Sequence, residues 1–175
     1  MAALMAAAVE KLEDGEYEQV WRRFRHEFAF RPSMASRTWP AIKEPADSVT
    51  WSLASLDDDP GYAKLDAMVD AINDGLWACT ATEGTLLILD WQHDCYRIRP
   101  HAMTAKDGPR WPASMMPDGD YNIHVAEDFR YGTFGHPWEN SICVMGAPLL
   151  QRVASSLDEI LLRRVREGGT SAVTT

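Results

Sequence analysis

Residues 85–100 read TLLILDWQHDCYRIRP: an apolar run that stops at Asp90, a short connection, and a second run that opens at Cys95. Short apolar runs bounded by turn residues are strand signals. The pattern recurs in DYNIHVAED (120–128) and SICVMG (141–146). Four strand candidates in succession, with no helical period between them, predict an antiparallel meander. Working outward, VTWSL (49–53) alternates Val49, Trp51 and Leu53 with Thr50 and Ser52, which adds one N-terminal strand. Three segments carry the helical period instead. In EYEQVWRRFRHEF (16–28), Tyr17, Val20, Trp21, Phe24 and Phe28 share a stripe. The segment 57–80 places Leu65, Met68, Val69, Ile72 and Leu76 together, and 149–167 does so for Leu150, Val153, Leu157, Ile160, Leu161 and Arg164 before Gly168-Gly169. The alanine-rich start is a fair helix former, and the proline-rich stretch 31–48 reads as an irregular connection lying against the domain. The expected fold is α+β: a mainly antiparallel five-stranded sheet, a four-strand meander plus one N-terminal strand, with helices packed on one face. One domain over 1–175 is expected, with 1–15 and 168–175 as frayed ends.

The bulk numbers narrow the function classes. At 175 residues, 46% hydrophobic and 25% charged, the chain is long enough to bury a core without staples. A net charge of −9 repels polyanions, so nucleic acid is excluded as a direct partner. The three cysteines, Cys79, Cys95 and Cys143, form no CxxC pair and read as buried free thiols. No basic residue precedes the short apolar start and no run approaches a membrane span, so a cytoplasmic chain without a membrane partner is expected.

Polar chemistry concentrates between positions 90 and 140. There fall four of the five histidines (His93, His101, His124, His136) and three of the seven tryptophans (Trp91, Trp111, Trp138). The first turn displays Asp90, Gln92, His93 and Asp94 at a sheet end, where an acid beside an imidazole orients it and raises its pKa. Turn acids also satisfy their own backbone, which is the plainer reading. After Pro117-Asp118-Gly119, alternation sets Asp120, Asn122 and His124 on one side and Tyr121, Ile123 and Val125 on the other. Asp118-x-Asp120-x-Asn122 echoes a calcium loop, but its glycine is misplaced and Arg130 stands near the closing glutamate's position. In FGHPWEN (134–140), read as a connection between strands, Pro137 holds His136 extended and so fixes His136 and Trp138 beside Glu139. The alternative there is a tryptophan that only anchors the loop. No HExxH, GxSxG, Walker loop or GxGxxG occurs.

The combination WRRFRHEFAFRPS, VTWSL, LDWQHDCYRIRP with His101 following, PDGDY and GHPWENSICVMG resembles an uncharacterised bacterial family, domain of unknown function 2716. The resemblance runs through roughly residues 20–150 in order. It implies a single compact domain and no particular reaction, and it draws attention to Asp90, Trp91, Gln92, His93, Asp120, Tyr121, His136, Trp138 and Glu139. Where the pattern leads one to expect a second aromatic after Tyr121, this chain has Asn122.

Two functional expectations follow. One is a pocket for a small molecule or peptide at one end of the sheet, with His136, His93, Asp120, Asp90 and Glu139 as candidate acid–base residues. Trp91, Gln92, His101, Tyr121, His124 and Trp138 are then the candidate ligand-binding residues, with no cofactor and no metal. The other is a non-catalytic immunity or self-resistance protein, whose acidity complements a basic toxin or sequesters an antibiotic.

Overall fold

The computed structural model describes residues 8–103 and 111–172. Three helices and nine strands form among them: β1 (Val9–Lys11), α1 (Asp14–Phe28), β2 (Ser48–Ser52), α2 (Ala63–Cys79), β3 (Leu86–Asp90), β4 (Tyr96–Ile98), β5 (Asn122–Ala126), β6 (Gly132–His136), β7 (Ser141–Met145), α3 (Ala147–Leu161), β8 (Arg164–Glu167) and β9 (Thr170–Ser171). The strands make one antiparallel sheet in the order β1-β4-β3-β5-β6-β7-β2-β8-β9. The α+β class stands, but the five-stranded meander is corrected to nine strands, and the connectivity differs.

β4 does not lie between β3 and β5. It folds back onto the outer side of β3, Leu86 pairing with both Ile98 and Ala126. β6 is the strand that the sequence hides. Its residues GTFGH carry little strand propensity, yet a Cβ on Gly132 would come within 2.4 Å of the His124 carbonyl oxygen. At Gly132 a glycine is therefore the residue that close backbone approach permits. The expected helix through 167 stops at Leu161, and Arg164 belongs to β8, which lies beside β2. Val9–Lys11 and Thr170–Ser171, expected to fray, pair with β4 and β8. The remaining residues expected to fray, 1–7 and 173–175, lie outside the described residues.

Helices cover both faces, not one. α1, through Val20, Trp21, Phe24 and Phe28, packs with Phe30 on Leu87, Leu89, Ile123, Val125 and Phe134. On the opposite face α2 (Met68, Ile72, Leu76) and α3 (Leu149, Val153, Leu157) cover Leu86, Ile88, Trp51 and Val144. The physical reason lies in the opening stretch. Leu86 to Leu89 are all buried, and an uninterrupted apolar strand needs both faces covered. The Asp59 carboxylate accepts the backbone N–H groups of Lys64 and Leu65 and so caps the start of α2. No described helix is long and apolar enough to cross a membrane.

Candidate functional site

The β3–β4 turn builds the strongest constellation. Trp91 extends the ladder by donating its N–H to the Tyr121 carbonyl at 3.1 Å, and Gln92 then turns the chain at φ 68. His93 is thereby carried back over the strand end. Its Nδ1 lies 3.2 Å from Asp90 Oδ1 and 3.4 Å from Asp120 Oδ2. The imidazole is 59% exposed, whereas the Asp90 and Asp120 side chains are 26% and 22% exposed. The hydrogen bond with Asp90 raises the His93 pKa, and burial raises that of Asp90 against the opposing pull of His93. Asp90 thus stands within hydrogen-bond reach of the imidazole.

An open groove of about 650 Å³ adjoins this turn, lined among others by Lys11, Tyr17, Asp90, Gln92, His93 and Tyr96. Lys11 pairs with Asp94 at 2.8 Å. Cys95 also borders the groove, but burial pushes its thiol up to about 11, so it is no nucleophile at neutral pH. Cys143 is buried and pushed up to about 12, and the pKa of the half-buried Cys79 is also raised.

His136 stands elsewhere. It lies on β6, not in a loop, and is wholly buried. Its Nδ1 accepts the Glu139 N–H at 3.0 Å, which places its proton on Nε2, and Nε2 is buried with no hydrogen-bond partner. Its ring sits edge-on to Tyr121 (5.0 Å), Trp39 (5.4 Å) and Trp138 (6.1 Å). Burial drives its pKa down to about 4. Tyr121 in turn touches Trp91 at 5.7 Å and Trp138 at 5.2 Å, and its hydroxyl exchanges hydrogen bonds with the backbone of Ser33. Trp91, Tyr121 and Trp138 thus belong to the aromatic layer under α1.

Glu139 is committed to an ion network. Arg166 donates to both of its oxygens at 2.6 and 2.7 Å, and Ser141 donates to one at 2.6 Å. Arg166 also donates to Glu44 at 2.9 Å, and Glu44 accepts from Thr50 at 2.7 Å. Burial pushes the Glu139 carboxyl up, but Arg166 and Ser141 outweigh it and hold it below the usual range.

The two remaining candidate histidines are also apart. His101 Nε2 bonds the Thr80 carbonyl at 2.7 Å, and its ring lies 4.4 Å from that of Trp77. His124, on β5, stacks on Trp111 at 5.6 Å facing α2 and α3, the side opposite His136. Neither of its nitrogens has a hydrogen bond, the backbone of Ala113 being its polar neighbour, and burial lowers its pKa to about 4.

Of the sequence candidates, the structure therefore brings together Asp90, Gln92, His93 and Asp120. It does not join His136, Glu139, Trp138, Trp91, Tyr121, His101 or His124 to them. Lys11, Tyr17 and Tyr96 were missed as groove residues because β1 reaches β4 by a pairing that leaves no local signal. Asn122, paired with Asp90 across β3 and β5, was visible in the alternation that set it beside Asp120.

A family model described as "Protein of unknown function (DUF2716)" matches residues 11–150. The chain belongs to this family. A relative described as "Uncharacterized protein YxiI", from Bacillus subtilis (strain 168), is 39% identical over 75 residues, 42% of this chain and 46% of that protein. The chain thus spans about half of that relative's length. No solved structure matches. The matched region holds β3, β4 and β5, and with them Asp90, His93 and Asp120.

Proposed function

We propose that the protein binds a small polar molecule or short peptide in the groove beside the β3–β4 turn. The observation that supports this is the lining: an open groove of about 650 Å³ in which Lys11, Asp90, Gln92 and His93 offer charges and hydrogen bonds alongside Tyr17 and Tyr96. Binding pockets combine such body and polar anchors, and this volume falls in the range that holds a small ligand. His93, held by two carboxylates, is the groove residue equipped to pass a proton, so acid–base chemistry on the bound molecule is compatible with the reading.

A thermal-shift screen of polar metabolites and short peptides tests it, with Gln92→Ala and Tyr17→Ala as controls. The expected result is a compound that raises the melting temperature of the parent and loses affinity at least about 10-fold in either variant. A compound set that stabilises the parent and both variants alike would reject the groove. So would association that appears only with basic proteins and disappears with added salt, the behaviour of a charge-driven binder.

A further inference from the structure

The Asp90–His93–Asp120 corner sets one imidazole nitrogen, hydrogen-bonded to Asp90, between two carboxylates. A charged imidazole on a carboxylate closes to about 2.7–2.9 Å, and one N–H points at one acceptor. Here a single nitrogen stands 3.2 and 3.4 Å from two carboxylates, and all three ligand atoms lie within 4.8 Å of one another. A tetrahedral ion with bonds of about 2.0–2.1 Å sets neighbouring ligands about 3.3–3.4 Å apart.

An independent observation comes from Asn122. It pairs directly with Asp90 in the sheet, so the two side chains share a face, and Asp120 lies two residues before it. Its amide nitrogen donates to the Met116 carbonyl at 3.1 Å, which identifies the other atom as Oδ1. That oxygen is buried without a hydrogen-bond partner in a residue only 8% exposed. An amide oxygen can only accept, so it calls for a donor or a cation. Among the described residues lining the groove, the lysine, Lys11, is paired with Asp94. Two half-buried carboxylates and, on the same sheet face as Asp90, an unpartnered acceptor therefore lie close together.

We infer that Asp90, His93 and Asp120 bind one divalent first-row metal ion, with Asn122 Oδ1 beside them as a fourth acceptor. An imidazole with carboxylate oxygens suits Zn²⁺ or Mn²⁺, and a set drawn from both sides of an exposed turn leaves an open coordination position. The inference rests on the groove reading only for the ligand class: a bound ion at its wall selects molecules carrying a carboxylate or phosphate oxygen.

Titration of chelator-treated full-length protein with Zn²⁺ by calorimetry, and with Mn²⁺ by electron paramagnetic resonance, tests the ion without any organic ligand. The expected result is one ion per chain with micromolar affinity, weakened about 100-fold or more in Asp90→Asn/Asp120→Asn protein and about 10-fold in Asn122→Leu protein. His93→Ala, on an exposed turn, provides a second variant should the double substitution lose its fold, and is expected to weaken Zn²⁺ most. Absence of saturable uptake by the parent overturns the inference, as does uptake indifferent to Asp90, Asp120 and His93. Repeating the ligand screen in excess chelator separates the two readings: a compound bound there with parental affinity preserves the groove and removes the ion from it.

Discussion

His124 and His136 sit on neighbouring strands yet point to opposite faces, and their substitution should have opposite consequences. His124 has two unpartnered nitrogens in the apolar layer beneath Trp111. Replacing it with leucine removes two desolvated polar atoms at nearly constant volume, so His124→Leu is expected to leave stability at pH 7 within about 1 kcal/mol of the parent. His136→Leu differs, because it strips the Glu139 N–H of its acceptor and a ring from the Tyr121, Trp39 and Trp138 cluster. A loss of about 2–4 kcal/mol is expected. Urea midpoints of the two variants check both; a His124→Leu loss as large as that of His136→Leu would mean that His124 is bonded after all. At this scale the sequence was legible in part. Pro137 reads as holding His136 extended in a loop, but a proline and two glycines do not say that the residue lies on a strand in a closed core. The adjoining acid and imidazole of the LDWQHD turn were legible because they are local.

The elements teach a second lesson through β8. Read by period alone, Arg164 to Glu167 continued the helix, and nothing local distinguished Arg166 from a solvent-facing arginine. In the structure β8 crosses to β2, and its Arg166 joins Glu44 to Glu139, with side-chain exposures of 14%, 1% and 13%. The partners lie 122 and 27 residues away, so no periodicity could reveal them. The nine-stranded sheet was partly legible in the same sense: Leu86–Leu89 and the run SICVM carried the mark of strands covered twice, whereas β6 was hidden by its glycines. The network makes a firm prediction. Arg166→Met leaves two carboxylates buried without their counter-charge and is expected to cost about 3–5 kcal/mol. Adding Glu44→Gln and Glu139→Gln removes those charges and should recover much of that loss. Guanidinium denaturation of the single and triple variants reads this out; a single variant within 1 kcal/mol of the parent would show the network to be solvated.

For the whole molecule, the two buried histidines set the response to acid. Each has a folded pKa near 4 against an ordinary value of 6.5, with burial as the leading cause in both. Glu139 opposes the shift at His136 and Arg166 assists it. At His124 the backbone of Ala113 opposes the shift. Because these pKa values are depressed, the unfolded chain takes up protons below pH 6.5 while the folded chain refuses them until about pH 4. Their stabilisation is therefore complete above pH 6.5 and is lost as the pH falls toward 4. The loss amounts to about 1.4 kcal/mol per pH unit for each histidine, about 3 kcal/mol apiece by pH 4. Glu139, whose pKa is also lowered in the fold, adds a loss of the same sign at the acid end of this window. A domain of this size holds only about 5–15 kcal/mol in all, so the sum is enough to unfold it. The expected profile is a stability plateau above pH 7, a steep fall between pH 6.5 and 4, and acid unfolding within that window, followed by denaturant titration at each pH. In His124→Leu protein the slope should fall to about half while the plateau stays in place, because one of two equal proton uptakes has been removed. An unchanged slope would show that His124 already takes up its proton in the folded state.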